Sequence, residues 1–327
     1  MNPLMKWCGF LLSCAAIGSA CAQTSATGAY PLRAIRMIVP FPPGGPNDIL
    51  GRVLAQRLSE SLGQQVVVDN RGGAGGIIGT DLAAKAAPDG YTILLAGTAA
   101  LSINPSLRAK LPYDPVRDFA PISLIATAPS VLLIHPSLPV KNVKELIALA
   151  KARPGQLNYA SAGIGTPPHL AGEMFKNMAK VNMVHVPYKG GGPALTDLVA
   201  GHVQLYFSGI SSALSLIREG KLKAIAVTSS GRTAVMPDMP TVAESGLPGY
   251  EVGNWYAVLA PAATAKDIVG KLNVAIVKAL KAPDVSKRVQ DLGADPVGST
   301  PEQMSAYMHN EIAKWAKVIR SAGIKPE

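Results

Sequence analysis

Arg33 to Leu62 reads RAIRMIVPFPPGGPNDILGRVLAQRLSESL, and the parsing of this stretch decides the fold. Ala34–Val39 is a short run rich in Ile, Met and Val, which suits a buried strand. Pro40-Phe41-Pro42-Pro43-Gly44-Gly45-Pro46 forbids a regular element after it. Asp48 or Asn47 is placed to cap a helix, and Ile49, Leu50, Val53, Leu54 and Leu58 recur at helical spacing. A strand thus ends in a stiff, glycine-bearing loop that opens a helix. The first N–H groups of such a helix have no acceptor within it, and together with the helix dipole they favour an anion. A tight turn without a ligand satisfies the same pattern.

Outward from this unit the pattern repeats. Gln65–Asp69 is a second strand, Asn70–Gly76 a flexible loop, Ile77–Ala87 a helix and Tyr91–Ala96 a third strand. Strand and helix alternate as in a right-handed parallel α/β unit, and Gly97-Thr98-Ala99-Ala100 reads as a small-residue loop at a carboxyl end. Pro121–Ala126 and Ser130–Ile134 are extended runs with only Thr127-Ala128-Pro129 between them, an arrangement suited to passing from one domain to another. The alternation then restarts: helix 143–151, strand 158–160, helix 168–178, strand 183–186, helix 194–200, and strands 203–207 and 224–228. Trp255–Ala260 is a candidate for the return crossing, followed by helical stretches at 265–282, 284–292 and 301–322. The last carries Met304, Tyr307, Met308, Ile312, Trp315, Val318 and Ile319 on one face. The expected architecture is α/β and periplasmic-binding-protein-like: two α/β lobes joined by two crossover segments, with a ligand cleft between them. Lobe one takes residues 30–127 plus 252–327, and lobe two takes 128–251.

The first residues read differently. Lys6, an apolar run from Trp7 to Ile17, and Ala20-Cys21-Ala22 form a secretory leader at 1–22, cleaved after Ala22 and implying export to a periplasm. Lipoprotein cleavage before Cys21 would want an aliphatic residue where Gly18 stands. All three cysteines, Cys8, Cys14 and Cys21, lie in the leader, so the mature chain is expected to use neither disulfide nor thiolate chemistry. The whole chain has a net charge of +10, of which Lys6 contributes one. Its basic residues are scattered and not interleaved with aromatics, which argues against nucleic acid and is compatible with a small anionic ligand.

Two loops in the second half echo the first. Asn158–Thr166 is a strand followed by a Ser/Gly/Thr loop, with Thr166 as N-cap and Pro167-Pro168 starting a helix. Val186–Ala194 holds Lys189-Gly190-Gly191-Gly192 and again a proline at a helix start. Motifs for catalysis are missing: the third Gly of a dinucleotide fingerprint is Ile78, Lys189 precedes its glycines, no Gly-x-Ser-x-Gly elbow occurs, and no two histidines stand four residues apart. Neither cofactor nor metal is expected. His169 reads either as a ligand contact or as a local polar contact, and Asp48 as a cap or as the holder of a water in the cleft. Tyr188 and Trp255 read either as walls for an apolar part of the ligand or as ordinary packing.

These motifs, taken in order, resemble a known family. Tyr30-Pro31, Ile38–Gly45 with Asp48 and Arg52, Val68–Arg71 with Gly75-Gly76, Pro88–Tyr91, and Tyr113–Pro115 with Asp118-Phe119 carry the resemblance in the first part. Asn158–Ser161, Gly163, Gly165-Thr166, His169-Leu170, His185–Gly191 and Pro237-Asp238 with Pro240-Thr241 carry it in the second. The chain resembles the extracytoplasmic solute receptors of tripartite tricarboxylate transporters, the Bug-type proteins. The resemblance implies a two-lobed fold closing on a small carboxylate held mainly by backbone N–H groups and waters, without an arginine clamp. It also implies membrane transporter subunits as partners, and a monomer is expected. The candidate ligand-binding residues are Phe41, Pro43, Gly44, Gly45, Asp48, Thr98, Ser161, Gly163, Gly165, Thr166, His169, Tyr188, Gly190 and Ser208. Two positions depart from the family pattern. Gly51 stands where Ala is common. Ser208 replaces a frequent acid that would suit a ligand amino group, which weakens the case for an amino-acid ligand. A ligand-sensing partner of a signalling system, or a periplasmic enzyme, are the other classes the sequence leaves open.

Overall fold

The computed structural model describes residues 30–188 and 191–324; the leader and Gly190 lie outside them. In chain order the first elements are β1 (Ile35–Val39), α1 (Pro46–Leu62), β2 (Val66–Asn70), α2 (Ile77–Ala84), β3 (Thr92–Gly97), α3 (Asn104–Leu107) and β4 (Phe119–Ile134). They are followed by α4 (Val143–Ala152), β5 (Asn158–Ser161), α5 (Pro167–Ala179), β6 (Val184–Pro187), α6 (Gly191–Val199), β7 (Leu205–Gly209), α7 (Ile210–Arg218) and β8 (Lys223–Val227). The chain closes with β9 (Gly253–Pro261), α8 (Lys266–Leu280), α9 (Pro283–Asp291), β10 (Asp295–Pro296) and α10 (Pro301–Ser321).

β1 pairs in parallel with β2 and β3, as the alternating pattern requires. All of β1 except Arg36 is buried, and α1 covers the sheet with Leu50, Leu54 and Leu58. Fully burying a leucine side chain contributes about 1.5–3 kcal/mol, so this face anchors the helix that carries the first loop. Sheet order is β2-β1-β3-β9-β4-β7-β5-β6, with β8 and β10 also pairing with β4.

β4 is the strand on which the two sheets meet. Its Phe119–Pro129 part pairs with β9 in the first sheet, and its Ser130–Ile134 part pairs with β7 and β8 in the second. The break expected at Thr127-Ala128-Pro129 does not occur. Pro129 stays in the ladder opposite Gly253, at the end of the β9 pairing, where a missing N–H removes only a terminal bond. The return passage lies upstream of Trp255–Ala260, which belongs wholly to the first sheet. There Thr228, fully buried, ties the passages together. Its hydroxyl accepts from the Ser130 N–H at 2.8 Å and reaches the Ser130 and Val252 carbonyls, while Val252 N–H donates to the Thr228 carbonyl at 2.9 Å.

Two further differences from the sequence reading concern helices. Gly97–Ala100 is not a loop: a π-helical turn at Ala99–Ile103 runs into α3. α7 was not legible because Ser211, Ser212 and Ser215, weak helix formers, interrupt its apolar residues. It forms because Ile210 and Ala213 bury against Val131, Leu133 and Tyr206. The apolar stripe of α10 serves two cores. Met304 and Met308 pack with Leu94, Leu101 and Leu259, whereas Trp315, Val318 and Ile319 pack with Leu132, Phe207 and Tyr250. Ile103 and Leu107 also join this second core. Among the described residues, no helix is long and apolar enough to cross a membrane.

Candidate functional site

A cavity of about 290 Å³ opens where the carboxyl ends of strands from both sheets meet. Phe41, Pro46 and Asn47 line it from the β1–α1 connection, and Thr98 and Ala99 from the turn after β3. Thr166, Pro167 and Pro168 face them from the start of α5, and Asn254 and Tyr256 stand on β9 at one side. Pro46 and Pro167 are the first residues of α1 and α5, so both helices begin at this cavity. Pro46, Pro167 and Pro168 carry no N–H, so the first-turn donors without an intrahelical acceptor are the N–H groups of Asn47 and Asp48 on α1 and of His169 on α5. Among the described residues lining the cavity there is no Asp, Glu, Lys, Arg or His. Tyr256 is its titratable group, and burial pushes that phenol up to about 12, so it stays neutral.

The β1–α1 loop is organised by Asp48, in a different way from the one expected. Gly45, in extended conformation, is the N-cap of α1 and no side chain caps the helix. The Asp48 carboxylate, 3 % exposed, accepts from the Gly44 N–H at 2.9 Å and pairs with Arg52 at 3.0 Å. Burial would raise its pKa, but the Arg52 guanidinium and the Gly44 N–H bring it below the ordinary carboxylate value. Asp48 therefore faces its own loop as a permanent anion and braces Gly44. Pro43, Gly44 and Gly45 shape the loop, and the residues that face the cavity are their neighbours Pro46 and Asn47.

The loop after β5 is braced from behind by a stack of rings. The Gly165 N–H donates to His169 Nδ1 at 3.0 Å, the Gly163 N–H donates to Ser161 Oγ at 3.1 Å, and the Thr166 hydroxyl donates to the Gly163 carbonyl at 2.6 Å. Ser161 Oγ lies 2.6 Å from His185 Nε2. The His169 and His185 rings stack with centroids 4.0 Å apart, and Tyr159 stacks on His185 at 4.9 Å. Burial lowers the His169 pKa, and burial together with the neighbouring His169 lowers that of His185 to about 4. Both rings are thus neutral at pH 7, as acceptance of the Gly165 N–H by Nδ1 requires.

Of the sequence candidates, the structure gathers Phe41, Thr98 and Thr166 around the cavity. Thr98 Oγ1 also accepts the Trp255 N–H at 2.9 Å, joining the turn after β3 to β9. Ser161, Gly163, Gly165 and His169 form the brace behind the α5 start, so His169 supports the loop and does not line the cavity. Tyr188 is turned to Asp197, to which its hydroxyl donates at 2.7 Å. Ser208 is 1 % exposed and donates to the Gly209 carbonyl, away from the lining. Trp255, the other wall candidate, does line the cavity, and its buried indole N–H donates to Glu311 at 2.9 Å.

Asn47, Pro167, Pro168, Asn254 and Tyr256 line the cavity without having been singled out, and His185 completes the brace. The prolines at the start of α5 were a usable signal. Asn254 carried none, because register across the sheets decides what it faces; His185 stood in the His185–Gly191 motif, but it comes opposite Tyr159 only through the β5–β6 pairing.

The family model described as "Tripartite tricarboxylate transporter family receptor" matches residues 50–324. Protein BugT of Bordetella pertussis is 42 % identical over 328 residues, covering 99 % of this chain and 99 % of that protein. Among solved structures, Rpa4515 of R. palustris with adipate is 38 % identical, covers 91 % of this chain and 100 % of its own, and superposes with a TM-score of 0.77. MatC from Rhodopseudomonas palustris with bound malate is 36 % identical, with 89 % and 100 % covered and a TM-score of 0.71.

Proposed function

The chain belongs to the tripartite tricarboxylate transporter family of receptors, and from that premise we propose that it captures a small organic carboxylate between its lobes and hands it to the membrane subunits of such a transporter. Family and fold are those of solute-binding receptors. The observation that carries the reading is that α1 and α5, one from each lobe, begin at the same cavity, and that no described lining residue is charged. The Asn47, Asp48 and His169 N–H groups and the two helix dipoles favour a carboxylate there, and the nearby Asp48 carboxylate is paired with Arg52 and the Gly44 N–H. Each charge-assisted hydrogen bond is worth roughly 1.5–3 kcal/mol. The adipate and malate held by the two relatives are carboxylates of a suitable size.

The reading includes a hinge. Lobe one comprises 30–127 with 252–327 and lobe two 128–251, so the chain passes between them at β4 and again just before β9. The change of sheet at Pro129–Ser130 and the Thr228 clasp to Ser130 and Val252 support these limits. A ligand touching both helix starts is fully bonded only when the lobes close, so binding selects the closed state. The receptor works in the periplasm as a monomer, after loss of residues 1–22.

A thermal-shift screen of the mature protein against di- and tricarboxylates, aromatic acids and amino acids tests the proposal. At a thousand times the dissociation constant a ligand adds about 4 kcal/mol of stability. Carboxylates should raise Tm and their amides should not. A shift with a sugar or a metal ion and with no acid would overturn the reading.

A further inference from the structure

Asn47 is the second residue of α1 and half-buried in the cavity lining. Its Oδ1 is shielded from solvent, and no described residue supplies it with a hydrogen bond. Of the other polar side chains lining the cavity, Thr98 Oγ1 takes the Trp255 N–H and the Thr166 hydroxyl is given to Gly163, while the Asn254 amide and the Tyr256 hydroxyl stand across from Asn47 on β9. A buried acceptor without a donor is unfavourable, a cost that a ligand bringing a donor would remove.

We propose that Asn47 sets specificity by reading a hydroxyl on the body of the bound carboxylate; this rests on the carboxylate reading above. The side-chain amide has one accepting and one donating end. A hydroxyl both donates and accepts, so it satisfies whichever end faces it. An ammonium group would serve only the oxygen, and the described lining holds no carboxylate to balance its charge. A plain methylene would leave the amide unpaired. The position fits such a role, because Asn47 sits beside the first-turn N–H groups of α1. A hydroxyl near the carboxylate then reaches the amide while the carboxylate stays on the helix start.

The test uses matched probes: succinate with malate, glutarate with 2-hydroxyglutarate, and benzoate with 4-hydroxybenzoate, measured by calorimetry on the mature wild type, Asn47→Leu and Asn47→Ser. For the carbon skeleton the wild type binds best, the hydroxy acid is expected to bind about 10- to 100-fold tighter than its unsubstituted partner. Asn47→Leu should bring the two within about threefold while retaining the unsubstituted acid, and Asn47→Ser, which keeps a hydrogen-bonding group, should retain part of the preference. Unchanged discrimination in folded Asn47→Leu overturns the assignment, as does a wild type that binds carboxylates without preferring the hydroxyl; both leave the carboxylate reading standing. A wild type that binds none of the six acids overturns the assignment, and the carboxylate reading falls with it only if no acid of the thermal-shift screen binds either. Should Asn47→Leu fail to fold by circular dichroism, Asn47→Ser decides: a preference equal to the wild type's counts against the assignment, and a reduced one supports it.

Discussion

Gly165→Ala should destabilise the protein far more than Gly44→Ala, although both glycines have positive φ, +75° and +86° respectively. Left-handed backbone costs an L-residue roughly 1–2 kcal/mol, and both variants carry that term. They differ in what the new methyl meets. At Gly44 nothing lies within 4 Å of a Cβ, whereas at Gly165 the Cβ would stand 2.5 Å from Leu107 Cδ2. Leu107 belongs to the second core and has little room to yield, so overpacking adds about 1–3 kcal/mol. Any shift that relieves the overlap also draws the Gly165 N–H away from His169 Nδ1, leaving a buried imidazole nitrogen without its donor. The expected losses are about 3–4 kcal/mol for Gly165→Ala and about 1 kcal/mol for Gly44→Ala. Urea unfolding followed by tryptophan fluorescence reads both. Carboxylate affinity should drop for Gly165→Ala, because the start of α5 moves with the loop. Equal stability loss in the two variants would refute the argument, since it would mean that Leu107 does not confine the loop.

Thr228→Val should cost about 1–3 kcal/mol by leaving the buried Ser130 N–H without its side-chain acceptor, and amide exchange at Ser130 should accelerate. Acid should destabilise the protein through His185. Its folded pKa of about 4 lies below its unfolded value of 6.5, so the unfolded chain takes up the proton first. Stability is full above about pH 6.5 and falls by about 3 kcal/mol towards pH 4. Chemical denaturation between pH 7 and 4 should show this slope, reduced in His185→Gln. Glu311→Ala leaves the indole N–H groups of Trp255 and Trp315 and the Lys314 ammonium without their shared carboxylate. It should cost about 3 kcal/mol or more and red-shift the fluorescence, whereas an unchanged emission maximum would contradict a buried Trp–Glu–Trp contact.

The sequence by itself determined the local architecture. Proline and glycine punctuation together with apolar periodicity placed β1, the loop to α1, the restart of the alternation after β4 and the start of α5 at Pro167, because these depend on residues adjacent in the chain. It also singled out Phe41, Thr98 and Thr166, which line the cavity, because each lies in a connection that follows a strand. Tertiary structure decided which groups face the cavity and which brace it. Asp48, a plausible cap by position, is drawn instead to the Gly44 N–H and Arg52, since a buried carboxylate settles where donors surround it. His169 turns behind its loop because His185, sixteen residues away, offers a face to stack on once β5 and β6 pair. α10 divides its single apolar stripe between two cores because the strands it covers pass from one sheet into the other. Periodicity reports that a face is buried; what it is buried against depends on contacts between distant residues that only the assembled sheets create.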